Sequence, residues 1–220
     1  MPLSVHTWGP LLMVNPTPDA PLPSRSPLTE RLDASGWGDL VYHSSRSYEL
    51  GCNWKVFIDN YLDGGYHVAF LHPSLAAELD LDAYGTELFE RFSIQSTPAS
   101  ETASSRLEGE AIYAWVYPNL MINRYGPMMD INVVHPTGPE SCRVDFDWFF
   151  HPDCDADFIQ DSLASSEQVQ IEDMDICRAV QVGMGSSHFQ PGPYAPRVEV
   201  GKHHFHQLLA ADLQSAEDPT

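Results

Sequence analysis

With 220 residues, 43% of them apolar and 11% aromatic, the chain can close one sizeable core, and intrinsic disorder is excluded. Thirty-one acidic residues against eleven basic ones give a net charge of −20, a field that repels phosphate backbones and anionic membranes, so neither is expected as a partner. No apolar run approaches the ~18 residues needed to span a bilayer, and residues 1–6 carry no signal-peptide pattern, so a cytoplasmic location is expected.

Seven of the eighteen prolines fall within the first 27 residues. The apolar segment Trp8-Gly9-Pro10-Leu11-Leu12-Met13-Val14 reads as one strand. The proline-rich stretch over 15–23 reads as a stiff linker, because proline fixes the backbone and cannot donate to a ladder. A boundary is therefore expected after residue 24, with one domain over 25–220. A short helix is expected from Pro27, with Ser26 as its N-cap. A strand over 40–50 and a helix over 53–66 follow. From 87 to 150 the pattern is β throughout, with strands over 88–95, 111–117, 120–124, 130–135 and 143–150 between Pro, Gly and Asn turns. Short turns between sequence neighbours imply an antiparallel meander. A long amphipathic helix over 156–184, a Gly/Pro-rich loop over 185–196 and a short terminal helix within 201–213 complete the chain. The fold class is α+β: one antiparallel sheet with a long C-terminal helix laid against it.

The four cysteines, Cys52, Cys142, Cys154 and Cys177, are scattered, with no C-x-x-C or C-x-H pair among them. Buried, inert thiols are expected, and neither a disulfide framework nor a thiol-held metal. The histidines carry more. At about 100° per residue, Trp54, Phe57, Ile58 and Tyr61 share one stripe of the helix over 53–66, and Asn60, Asp63 and His67 share the opposite one. Gly64 and Gly65 weaken that helix just before His67. His72 lies about 140° further round an ideal helix, but Pro73 pushes it out of helical geometry. The helix should end between the two histidines and let the second imidazole swing back. The plain alternative is a solvated polar face with two incidental histidines.

On the long helix, Ile159, Leu163, Met174, Cys177, Val180 and Met184 form an apolar stripe that also contains Asp173. Glu172 and Asp175 are expected to point away. A carboxylate facing the core needs a metal, a cation or several donors. Its plain alternative is a buried Asp bonded to backbone amides or an arginine. Two neutral imidazoles and one carboxylate are the ligand set of non-haem iron(II) oxygenases. Zinc hydrolases use a similar set, so spacing alone leaves the metal open.

The string Asp59-Asn60-Tyr61-Leu62-Asp63-Gly64-Gly65-Tyr66-His67-Val68, continued by His72-Pro73, closely resembles the iron-binding segment of Rieske-type ring-hydroxylating and N-demethylating oxygenase large subunits. Within that family it is most similar to the choline monooxygenases. The stretches Leu81-Asp82-Ala83-Tyr84, Trp115-Val116-Tyr117-Pro118-Asn119-Leu120, Ile171-Glu172-Asp173-Met174 and Lys202-His203-His204-Phe205-His206 resemble it in the same order. The resemblance implies a helix-grip (START/Bet v 1-like) catalytic domain, with mononuclear Fe(2+) on His67, His72 and Asp173. It also implies O2 and a small molecule as substrates, an electron donor (a ferredoxin and reductase, or a Rieske protein), and a homotrimer. The family's [2Fe–2S] cluster sits on a C-x-H and a C-x-x-H pair, and this sequence contains neither. Residues 1–16 resemble the last strand of the cluster-bearing domain, so the cluster is expected from a missing domain or a partner. The family's bridging carboxylate lies three residues before the first histidine. Gly64 holds that place here, and Asp63, four before, is the candidate; with Asn60 it makes up the catalytic pair beside the metal.

The function that follows is hydroxylation of a small substrate with O2, with a quaternary ammonium compound such as choline or a betaine expected. Alternatives are a helix-grip ligand-binding fragment without turnover, or a truncated reading frame. Tyr113, Trp115 and Tyr117 alternate along one strand, and Phe146, Trp148 and Phe150 along another, so each set shares a face of the sheet. Aromatic faces hold quaternary ammonium groups, which makes Tyr113, Trp115, Tyr117, Phe146 and Trp148 candidate substrate contacts. The plain alternative is that both rows are ordinary core. His203, His204 and His206 are expected to pack against the sheet, and His135 and His151 to lie at the surface.

Overall fold

The computed structural model describes residues 3–16, 26–101, 103–107 and 109–217. Most of the stretch expected as a linker lies outside them. The apolar segment before it is not one strand but half of a hairpin, in which β1 (Ser4–Trp8) pairs antiparallel with β2 (Leu11–Asn15). Gly9, at φ +55, makes the turn, and a Cβ there would strike the Trp37 ring. Helix α1 (Pro27–Ala34) begins as expected, with the Ser26 hydroxyl accepting from the Thr29 N–H. Trp8 fastens the hairpin to it, donating Nε1 to Thr29 Oγ1 at 2.9 Å and meeting the Trp37 ring edge-on at 5.1 Å.

The chain then builds β3 (Val41–Leu50), α2 (Trp54–Tyr61) and the single turns α3 (Val68–Leu71) and α4 (Pro73–Ala76). The meander follows: β4 (Gly85–Leu88), β5 (Phe92–Pro98), β6 (Glu110–Val116), β7 (Leu120–Tyr125), β8 (Met128–Gly138) and β9 (Ser141–Phe150). Helices α5 (Ala156–Met184) and α6 (Val200–Glu217) close the chain. The strands form one seven-stranded antiparallel sheet in the order β3-β9-β8-β7-β6-β5-β4, so every consecutive pair from β4 to β9 is a hairpin. The expected strand over 88–95 is two strands, because Phe89 turns the chain with its N–H on the Phe92 carbonyl, stacking the two rings 4.4 Å apart.

Period-two alternation buries both faces of this sheet. Ile94, Ile112, Ile122, Ile131 and Phe149 face α1 and Trp37. Trp115, Met121, Val144 and Phe146 face the other way, toward α2, α5 and Phe205 of α6. Helix α5 spans the expected residues, with the Asp155 carboxylate capping the Phe158 N–H at 2.8 Å. Its buried face differs from the apolar stripe read from the sequence. Ser162, Ser166, Gln170 and Cys177 are buried, whereas Val180 and Met184 are each 44% exposed. The last turns of the helix run past what it packs on.

The helix expected over 53–66 ends at Tyr61. Gly64 and Gly65 take φ +75 and +76, and the Asp63 carboxylate accepts from the Tyr66 and His67 N–H groups, so a tight turn replaces further helix. The start of α6 sits directly on this turn. Lys202 N–H donates to the Leu62 carbonyl at 3.1 Å, and a Cβ on Gly64 would overlap the Val198 carbonyl. Gly65 has more room, with the Tyr84 ring 3.1 Å from its ideal Cβ position. Gly64→Ala combines left-handed strain with a backbone collision and should cost at least about 2 kcal/mol, against about 1 kcal/mol for Gly65→Ala. Urea melts of both variants check the order; a larger loss in Gly65→Ala overturns this account of the turn.

Candidate metal centre

The glycine turn places His67 at the start of α3, and the break at Pro73 places His72 between α3 and α4, at φ −119 and ψ 66. The helix expected over 53–66 ends before both histidines rather than between them; the separate turn α3 lies between them, and the two rings lie 5.1 Å apart, edge to face. Asp173 enters from α5. One potential ligand atom from each of His67, His72 and Asp173 lies within 4.8 Å of the other two, the one such group among the described residues.

Each imidazole is held from behind by a carboxylate. His67 Nδ1 lies 2.8 Å from Asp63 Oδ2, and His72 Nδ1 lies 2.6 Å from Glu172 Oε2. Carboxylates accept only, so Nδ1 carries the proton in both rings and Nε2 keeps its lone pair. Those lone pairs point at one place: His72 Nε2 is 3.1 Å and His67 Nε2 3.7 Å from Asp173 Oδ1. Two lone pairs and a carboxylate repel one another unless a cation sits among them. Burial pulls the His72 imidazole down, but the Asp173 and Glu172 carboxylates together outweigh it and raise its pKa above the usual value. Asn60 donates Nδ2 to Asp173 Oδ1 at 2.7 Å and fixes the carboxylate's rotation. Inner ligands each oriented by an outer hydrogen bond are the pattern of built metal sites, and this donor set fits iron(II).

The ligands lie at a cavity of about 120 Å³ between the helices and the sheet. Of the five aromatic candidates, Tyr113 and Phe146 line it. Trp115, Tyr117 and Trp148 do not. Trp115 is fully buried against Phe205 at 5.5 Å and donates Nε1 to the Pro118 carbonyl. Tyr117 lies under the Arg91 guanidinium, 4.4 Å from its ring, and Trp148 donates Nε1 to Ser166 of α5. Alternation puts these rings on one face, but α6 and α5 cover part of that face, and only the uncovered part is cavity wall.

Two groups at the site differ from the sequence reading or were absent from it. Glu172, expected to point away, instead reaches His72, its Oε2 lying 2.6 Å from His72 Nδ1. The sheet wall is polar: Gln95, Tyr113, Asn123 and Asp130 are cross-strand neighbours on β5 to β8, and all line the cavity. Their signal was a run of polar residues at core-facing positions of otherwise apolar strands. The remaining histidines do not join the metal group. His206 Nε2 meets Asp59 at 2.8 Å, His204 packs on Trp115, and His135 and His151 are partly exposed. Three cysteines, Cys52, Cys142 and Cys177, are buried and free, with Cys154 half-buried.

Removing an outer carboxylate typically weakens metal affinity on the order of 10–100-fold. Glu172→Gln should do so here, read by competition with a chromophoric chelator on protein whose circular dichroism is unchanged. Unaltered affinity would mean that Glu172 does not orient His72.

Residues 37–215 match the family described as ring hydroxylating alpha subunit (catalytic domain). The chloroplastic choline monooxygenase of Arabidopsis thaliana is 44% identical over 97% of this chain and 55% of its own length. The chloroplastic choline monooxygenase of Beta vulgaris is 35% identical over 97% of this chain and 50% of its own length. This chain thus spans about half the length of the curated relatives it matches. The structure of a quaternary ammonium Rieske monooxygenase, described in connection with carnitine oxidation by gut microbiota, superposes with a TM-score of 0.81 at 22% identity, covering 96% of this chain and 62% of that one. That likeness bears on the fold, and it agrees with the helix-grip arrangement of sheet and long helix. On the family match and the 44% identity, the chain belongs to the ring hydroxylating alpha subunits, as their catalytic domain.

Proposed function

We propose that this chain is the catalytic part of a non-haem iron oxygenase that hydroxylates a small quaternary ammonium compound, choline or a betaine. The observation that carries this reading is the convergence of His67 Nε2, His72 Nε2 and Asp173 Oδ1 beside an aromatic-lined cavity. Iron(II) held by His67, His72 and Asp173 would supply activation of dioxygen; the protein supplies the rest. Asp63 and Glu172 keep both imidazoles in the tautomer that leaves Nε2 free, and Asn60 holds Asp173 in place. Tyr61, Tyr84, Tyr113 and Phe146 wall the cavity with rings whose faces attract a quaternary ammonium head by roughly 0.5–2 kcal/mol each. The net charge of −20 adds long-range attraction for a cation.

Hydroxylation of one C–H bond by O2 consumes two electrons and two protons and releases water. In this reading the electrons come through a [2Fe–2S] cluster outside these 220 residues, in another domain or a partner served by a ferredoxin and reductase. Asp63 is the proposed link to it. Its carboxylate touches His67, and Tyr66 and Phe70, three and seven residues on, are 63% and 73% exposed, an apolar surface suited to a neighbouring subunit. The assembly proposed is a homotrimer. In this reading the hairpin over residues 4–15 is the end of a preceding domain; the exposure of its Val5, Leu12 and Val14, and of Leu3 before it, supports that placement. The reading keeps the chain in the cytoplasm; no helix among the described residues is long and apolar enough to cross a membrane.

Iron should bind one per chain, and His72→Ala or Asp173→Ala should abolish that stoichiometry in elemental analysis; unchanged iron content sinks the ligand assignment. Choline or glycine betaine should bind the iron-loaded protein with Kd below about 10 mM by calorimetry. Binding of a neutral aromatic acid or amide in their place would leave the oxygenase class and remove the substrate. Chemically reduced protein should give at most a single turnover, whereas sustained product with a reductase and NAD(P)H alone would show that no outside cluster is needed.

A further inference from the structure

The cavity's sheet wall contains a second buried carboxylate, Asp130 on β8, which the metal centre does not use. It is 3% exposed, and all its hydrogen bonds are accepted ones. Tyr125 Oη donates to Oδ1 at 2.8 Å, and Asn123 Nδ2 and Asn132 Nδ2 donate to Oδ2 at 2.7 and 2.9 Å. The amide orientations are mutually fixed. Asn123 Oδ1 accepts from the Tyr61 hydroxyl at 2.7 Å, and its Nδ2 also donates to Asn132 Oδ1 at 2.9 Å. This ring of neutral donors suits an ionised carboxylate, which can accept all three bonds. Among the described residues no cation bonds to it directly. The Arg106 guanidinium, which also lines the cavity, donates to the Tyr125 hydroxyl at 3.3 Å and acts on Asp130 through its charge. Burial accordingly pushes the Asp130 carboxyl up, against the pull of Asn123, Tyr125 and Asn132.

A buried carboxylate ringed by neutral donors, with no direct ion pair and facing a cavity, is placed to act as half of an ion pair. We propose that Asp130 is the fixed counter-charge for the substrate's cationic head, and so the residue that sets the cavity's preference for cations over neutral molecules of the same shape. The proposal rests on the quaternary-ammonium reading above and adds the residue that enforces it. Three of Asp130's roughly four acceptor positions are already filled, so it offers charge more than hydrogen bonds. That suits a head group that cannot donate. Beside it on the same wall, Gln95 Oε1 and the Tyr113 hydroxyl are buried with no protein partner, and Gln95 and Tyr113 are paired across β5 and β6. These unmatched groups fit a polar end on the same guest, such as a hydroxyl.

The test compares choline with its uncharged isostere 3,3-dimethylbutan-1-ol by calorimetry on the full, iron(II)-loaded chain kept anaerobic. Wild type should prefer choline by at least about tenfold. Asp130→Asn should reduce that preference to about twofold or less, mostly by weakening choline, with circular dichroism and iron content unchanged. Asp130→Ser, which leaves space for a water among the same donors, is the second variant should the first not fold. Equal affinity of wild type for the two ligands, or an undiminished preference in either folded variant, overturns the anchor and leaves the substrate reading intact. Failure of both choline and glycine betaine to bind wild type overturns the substrate reading and the anchor with it.

Discussion

Everything at the functional end of this molecule depends on one electrostatic constraint: two imidazole lone pairs and a carboxylate are aimed at the same point. Left to themselves these groups would repel one another, and the Asp173 and Glu172 carboxylates raise the His72 pKa. They are kept together because each is restrained from outside. Asp63 and Glu172 hold the rings by Nδ1, Asn60 holds Asp173, and the two backbone breaks at Gly64-Gly65 and His72-Pro73 set where the rings start. The strain of that arrangement is borne by the fold: α6 presses on the glycine turn and α5 delivers both Glu172 and Asp173 from successive positions.

The opposite wall follows a different logic. There the sheet offers no metal ligands but a connected polar surface, in which Tyr61, Asn123, Asn132, Tyr125 and Asp130 satisfy one another. Such a network in a sheet that is otherwise apolar on that face is costly unless fully paired, and it is paired except at the cavity surface. The two walls together give the cavity its character: a cationic centre to be built on the helical side, and a buried negative charge among aromatic rings on the sheet side. A small organic cation placed between them would be held at a defined distance and orientation, which is what selective attack on one C–H bond requires.

The order of helices and strands was legible in the sequence, and so were His67, His72 and Asp173, the three residues that the structure brings together. Helix α5 could be delimited because its 3.6-residue periodicity is local, and the meander because each hairpin pairs neighbours. His67 and His72 stood out because glycine and proline, which break helices by their own backbone chemistry, flank them. Asp173 stood out as an acidic residue inside an apolar stripe. The hairpin at residues 4–15 and the turn at Phe89 were missed because each depends on one residue's backbone conformation, which periodicity does not report.

What only the tertiary structure decided is which side chains of a given face reach the cavity. Helical angles placed Glu172 in solvent, yet its long side chain meets a ring carried round to it by a separate segment, 100 residues away in sequence. Strand alternation placed Tyr113, Trp115 and Tyr117 on one face with equal claims, yet Phe205 of α6 covers Trp115 and leaves Tyr113 in the wall. Asp130 looked like an ordinary strand residue until register aligned it with Asn123, Tyr113 and Gln95 across three strands. The sequence determined periodicity, caps, breaks and ligand chemistry, since these act between residues a few positions apart. Depth and mutual facing depend on how distant elements stack, and that is set by packing over the whole chain.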